Sequence, residues 1–260
     1  MGRRRGVTVV EVLVVIAVVS ILVAALWPAL SRAREQARMD RCCSNLDSYS
    51  LAAGTYSDDH DGEFPRASAW LANWPAVNCK WHDPKENLAR NPARAGDLWP
   101  YVKGQDIHVC PKFDIVARRT SCPRCKGATI PVEPQYAYAM NAYLNGDAWN
   151  NVPTQYQARV KDLRKPSQVK QPAMTFSFGE ENTWPIPEIG TTGINDNHLY
   201  SLPRGRTDCF GTFHKPPGGD LNLGVSNAAF VDGHVESVSP YPPGNTYQLS
   251  WPGDKPAPLW

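Results

Sequence analysis

The chain divides by polarity near its N-terminus. From Val7 to Leu30 every side chain is apolar or small except Glu11, the one ionisable group in that run. An apolar stretch of about 20 residues matches the ~30 Å hydrocarbon core of a bilayer, so it predicts a membrane-spanning helix. Strong helix formers continue through Ser31-Arg32-Ala33-Arg34-Glu35-Gln36-Ala37-Arg38 without a breaker. Leu46, Tyr49, Ala53 and Tyr56 then recur three to four residues apart, the spacing of one buried helix face. Asp58-Asp59-His60-Asp61-Gly62 stops the pattern with turn residues. The pattern predicts one rod from Val7 to about Ser57, about 75 Å long at a rise of 1.5 Å per residue. Half would lie in a membrane and half against a globular head. Pro28, near the outer end of the apolar run, removes one helical hydrogen bond and either kinks the rod or ends it.

Beyond residue 59 the pattern shortens. Proline and glycine are frequent, which excludes long regular elements. Ala173-Met174-Thr175-Phe176-Ser177-Phe178 reads as a strand, and Tyr136 to Leu144 as a strand or short helix. Ala228-Ala229-Phe230-Val231 and His234-Val235-Glu236-Ser237-Val238 flank Asp232-Gly233, the strongest short hairpin signal. The expected class is α+β: a long N-terminal helix packed on a small antiparallel sheet with long loops. The expected divisions are a leader (1–6), a transmembrane helix (7–30), the extramembrane half of the helix (31–58) and a head (59–260).

Charge orients this plan. The net charge of +2 over 260 residues is too small to imply a nucleic-acid partner. Arg3, Arg4 and Arg5 precede the apolar run, so the positive-inside rule puts Met1 in the cytoplasm and the chain after Ser31 across the membrane. A secretory signal peptide would have a shorter apolar region and a better cleavage site than Ala24-Ala25-Leu26. A plain signal anchor fits the length but leaves Glu11 without a role. A carboxylate inside a membrane helix costs roughly 2.5–3.5 kcal/mol on insertion scales and usually has a partner. A cut after Gly6 would supply one, because Glu11 lies one turn past the α-amine that Val7 would then carry. Between neighbouring chains such a pair would act mainly as a register device, since burial costs much of what the attraction gains.

Gly6-Val7-Thr8-Val9-Val10-Glu11-Val12-Leu13-Val14-Val15-Ile16 resembles the signature of type IV pilins and type II secretion pseudopilins. The resemblance implies that a prepilin peptidase cuts between Gly6 and Val7 and methylates Val7, and that Glu11 serves filament assembly. It makes Pro28 the counterpart of the pilin kink. Val7 departs from the usual Phe. Further patches resemble a pilin-like group of planctomycete and verrucomicrobial bacteria: Cys42-Cys43-Ser44-Asn45-Leu46, Trp99-Pro100-Tyr101-Val102, Val109-Cys110-Pro111 and Asn227 to Glu236 among them. The implied partners are the peptidase, other pilin-like subunits and inner-membrane lipid. The implied location is the bacterial inner membrane, single pass, with a periplasmic head, or the cell surface once assembled in a pilus. The function expected is that of a structural subunit rather than an enzyme. The alternative is a singly anchored extracytoplasmic binding module that does not polymerise.

Seven cysteines suit an oxidising compartment. Three uses compete for Cys42, Cys110, Cys122 and Cys125: structural disulfides, zinc and redox exchange. The preferred bridge is Cys42–Cys110, which would tie stalk to head across a long loop and contribute about 3–4 kcal/mol. Cys122-Pro123-Arg124-Cys125, a lone CxxC, could hold zinc together with Cys110 or Cys79. Asp58, Asp59, Asp61 and Glu63 could offer calcium oxygen ligands, although their spacing is not that of an EF-hand and a solvated helix-ending turn explains them. Asp232 and His234 are explained by their turn, and with His214 they form no recognisable nucleophile, base and orienting group. Trp70, Trp74, Trp81, Trp99, Trp149 and Trp184 suit either a binding surface or the core.

Overall fold

The computed structural model describes residues 7–73, 88, 91–102, 106–117, 136–145, 163–182, 184, 186, 198–199 and 208–240. Its dominant element is α1 (Val9–Asp59), an unbroken helix of 51 residues. Thr8 caps it: its hydroxyl accepts the Glu11 backbone N–H, and the Glu11 carboxylate accepts the Thr8 N–H. This reciprocal arrangement satisfies two of the donors that a helix start leaves open. Pro28 lies inside α1 and does not end it. The helix stops at His60, where Asp61 and Gly62 both take positive φ and the Gly62 N–H returns to the Ser57 carbonyl.

The outer half of α1 is buried along one stripe: Met39, Cys42, Asn45, Leu46, Tyr49 and Ala52, with Ala53 and Tyr56 partly covered. The expected periodicity is therefore the packing face. Against it lie α2 (Trp99–Val102), α3 (Pro111–Ala117) and a five-stranded sheet of β1 (Tyr138–Asn141), β2 (Phe176–Glu180), β3 (His198–Leu199), β4 (Ser226–Phe230) and β5 (Val235–Val238). The sheet order is β3-β1-β2-β4-β5. The β1–β2, β2–β4 and β4–β5 pairs are antiparallel. β3 pairs with β1 in parallel, so the sheet is mixed rather than purely antiparallel as expected.

The β4–β5 hairpin turns at Asp232-Gly233. The Gly233 N–H closes the turn onto the Phe230 carbonyl, and Gly233 takes φ +96°, which a side chain would resist. The expected strand 173–178 is shifted. Pro172–Met174 forms a 3₁₀ turn, and pairing starts only at Phe176 and runs to Glu180. Proline at the head of that turn fixes φ and donates no hydrogen bond, so it starts a turn more readily than a ladder.

The core lies between α1 and the sheet. Tyr49 is its pivot. Its ring meets Trp70 edge-on at 5.0 Å and stacks on Phe178 at 5.7 Å, and its hydroxyl lies 2.7 Å from His108 Nδ1. Burial drives the Tyr49 phenol well above its ordinary pKa, so it remains a neutral hydroxyl. Burial also lowers the His108 imidazole to about 4, against a weaker opposing pull from Asp106.

Candidate functional site

Two regions gather the residues to which sequence assigned roles. The first is the inner half of α1. Val7, Val9, Val10, Leu13, Ile16, Ile21, Leu22, Leu26 and Trp27 are all exposed. Among the described residues none of the head covers them, and this half of the helix is apolar enough to cross a membrane. Within it the hydrogen bonds of Glu11 among the described residues are local: Oε2 accepts the Thr8 N–H at 2.8 Å and the Thr8 hydroxyl at 2.9 Å. In the uncut chain Val7 is a peptide nitrogen and offers no amine, so the cap is the carboxylate's available partner. A new amine at Val7 would compete for it.

The second region is the weld between stalk and head. Cys42 on α1 and Cys110, just before α3, form the expected disulfide, with Cα atoms 5.2 Å apart and a sequence separation of 68. Both are fully buried. Polar contacts flank the bridge. Lys112 on α3 reaches Glu35 on α1 at 2.9 Å, and the Asn45 side chain donates to the Tyr138 hydroxyl at 3.0 Å. Cys43, next along the helix, is half-buried and not in a disulfide. Burial, reinforced by Glu180, Asp40 and Asp47, pushes its thiol up to about 11, which keeps it protonated and unreactive at neutral pH.

Residues 1–27 match the family model described as the prokaryotic N-terminal methylation motif. The chain carries a type IV prepilin-like signal. No curated protein and no solved structure matches the chain. The prepilin-like signal thus covers the leader and most of the exposed half of α1, and the head stands on its own geometry.

Around the signal and the weld, the other sequence candidates fall as follows. Pro28, one residue past the matched segment, sits where α1 is exposed. Gly6, Cys79, Cys122, Cys125, Trp74, Trp81 and Trp149 lie outside the described residues. Of the four acids, Asp59 accepts from the Tyr101 hydroxyl at 2.9 Å and Glu63 pairs with Arg164 at 3.3 Å. They are drawn to separate partners on the helix-ending turn. Trp70 and Trp184 are buried and Trp99 is partly buried, so these three serve the core. Asp232 holds the His234 ring at 2.6 Å within the hairpin turn.

His214 is not near that pair. It is fully buried beside the Cys42–Cys110 bridge, with Nε2 3.0 Å from Glu180 Oε1. Its backbone is bridged to Val225 in both directions. Gly224 allows this approach, since a Cβ there would collide with the backbone carbonyls of Thr212 and His214. Glu180 is the residue that sequence reasoning missed. It closes β2 inside Gly179-Glu180-Glu181-Asn182, which reads as a polar strand end. No local pattern distinguishes a buried carboxylate there from a solvated one.

Proposed function

We propose that this chain is a structural subunit of a type IV pilus or a type II secretion pseudopilus. A prepilin peptidase cuts it between Gly6 and Val7 and methylates Val7. Before assembly the inner half of α1 spans the bacterial inner membrane, with the N-terminus cytoplasmic and the head periplasmic. Assembly moves that half into a filament core among other pilin-like subunits, and Glu11 pairs there with a neighbour's N-terminal amine. The observation that carries this reading is the methylation motif on a helix whose matched half is exposed and touches no described head residue. A solitary carboxylate in such a helix is costly unless it acquires a partner. The Thr8 cap serves until cleavage provides one.

The test is Glu11→Ala in cells. The variant is expected to be processed and to remain in the membrane, yet to be absent from sheared filaments. Normal incorporation would remove the assembly role. A second reading, a singly anchored binding module, draws support from a cleft of about 260 Å³ between α1 and the sheet. Gly54, Phe64, Met140, Phe178 and Phe230 line it. Shear without detergent separates the two readings. A filament subunit leaves the cells in the sheared fraction, whereas an anchored module stays with the membrane.

A further inference from the structure

The weld between stalk and head contains more than a disulfide. Cys42, Cys110, Glu180 and His214 are all fully buried, and their ligand atoms lie within 4.8 Å of one another. Four different segments supply them: α1, the residue preceding α3, the end of β2 and the bridge to Val225. We propose that in its dithiol form this set is a closed four-ligand site for a thiophilic divalent cation of the zinc class. This proposal is independent of filament assembly.

Two thiolates, an imidazole nitrogen and a carboxylate oxygen are the donor types of a tetrahedral structural zinc site. His214 Nε2 faces the set, 3.0 Å from Glu180 Oε1 and 3.3 Å from Cys110 Sγ. A zinc ion with bonds of about 2.0–2.3 Å spaces its ligands by about 3.3–3.8 Å. Opening the S–S bond frees both cysteine side chains to rotate, and with Cα atoms 5.2 Å apart a modest separation of the sulfurs reaches that range.

The shell behind the ligands fits a bound metal as well. A metal-bound histidine almost always donates its other ring N–H to a carboxylate or carbonyl. His214 Nδ1 lies 4.0 Å from Glu35 Oε1. Both atoms are buried, and neither has a hydrogen-bond partner among the described residues. In the disulfide form a neutral His214 that donates its Nε2–H to Glu180 leaves Nδ1 an acceptor opposite a second acceptor, whereas a metal at Nε2 puts the ring proton on Nδ1 and makes the two groups complementary. A small turn of the imidazole onto a metal would close that gap. Lys112 already fixes the other Glu35 oxygen at 2.9 Å. Glu180 is prepared in the same way. Its Oε2 accepts the Asn227 backbone N–H at 2.8 Å, which leaves Oε1 beside His214 Nε2 and within the ligand cluster.

Metal and disulfide are alternatives at one pair of sulfurs. The two thiols bind Zn²⁺ as thiolates and release two protons. Oxidation by a disulfide-bearing oxidant removes two electrons and two protons, forms the Cys42–Cys110 bond and leaves the oxidant as a dithiol. The stalk can therefore be pinned to the head before oxidation and after it, by different chemistry at the same place.

The test uses the full chain in detergent, reduced with a phosphine, stripped by a chelator and offered one equivalent of Zn²⁺. A second sample carries Cys122→Ser and Cys125→Ser to remove the CxxC. Both are expected to retain one zinc per chain after gel filtration. X-ray absorption should show two sulfurs at about 2.3 Å and two nitrogen or oxygen ligands at about 2.0–2.2 Å. The oxidised chain should retain none. His214→Ala should weaken binding about 100-fold or more, since loss of even an outer partner costs 10–100-fold. Failure of the wild-type chain to keep zinc would overturn the proposal. So would three or four sulfurs around the metal, loss of binding in the serine sample, or equal uptake by the oxidised chain. The absorption spectrum needs no histidine variant, so a misfolded His214→Ala leaves the test intact.

Discussion

The two halves of α1 are one continuous helix with opposite surroundings. From Val9 to Leu30 the side chains are exposed and almost uniformly apolar. From Ser31 to Asp59 the helix is amphipathic, and its stripe is buried from Met39 to Ala52. A stripe on one face serves a partner of fixed geometry, here the sheet and α3. Apolarity all round serves a partner that surrounds the helix, either lipid or a ring of identical helices. The same backbone thus has two interfaces, one satisfied within the chain and one left for the environment. Glu11 and Tyr49 mark them. Among the described residues Glu11 hydrogen-bonds to Thr8 alone, whereas Tyr49 touches Trp70, Tyr138, Phe178 and His108.

Substitutions should therefore act on head stability only through the outer half. The largest effect belongs to the weld. Closing a loop of this length restricts the unfolded chain by about 4 kcal/mol on the loop-entropy estimate. Cys42→Ser, or reduction in the presence of a chelator, should lower the urea midpoint of the detergent-solubilised chain accordingly. An unchanged midpoint would mean that the weld does not join stalk to head.

Acid comes next. His108 is buried neutral, with its folded pKa lowered from 6.5 to about 4. Between those values the unfolded chain binds a proton that the folded chain refuses, so stability is full above about 6.5 and falls as pH drops toward 4. The loss reaches about 3 kcal/mol at the acid end. Urea melts from pH 7 to pH 4 should show this slope, and His108→Gln should flatten it. Tyr49→Phe keeps the ring and strips the hydroxyl from His108 Nδ1. It should cost about 1–2 kcal/mol in the same assay, the penalty of a buried group left unpaired. Leu22→Ala, in the exposed half, should leave head unfolding within about 0.5 kcal/mol. A larger shift would show that the inner half packs on the head after all.

The same comparison explains what could be read without coordinates. Both halves of α1 announce themselves, because helical periodicity and uniform apolarity are local patterns. The Asp232-Gly233 hairpin and the Cys42–Cys110 pair also carried short-range or chemical signals. β3 did not. His198–Leu199 is two residues long and joins β1 by a parallel pairing across a long connection, with nothing in its own composition to say so. The contact of Glu180 with His214 was equally hidden, since it follows from β2 meeting β4 and from the His214–Val225 bridge. A buried carboxylate breaks the ordinary rule of burial, and such exceptions become visible only when the partner is in place. The prepilin-like signal was legible for the opposite reason. Its residues lie within six positions of one another, and their meaning depends on the membrane rather than on the head.

The central claim is that the inner half of α1 is a processed assembly element and not a generic anchor. Mass analysis of the N-terminal peptide of the mature protein tests it most directly. The account predicts a peptide that begins at Val7 and carries one methyl group on its α-amine. A mature chain that begins at Met1, or one cut after the apolar run, would contradict it.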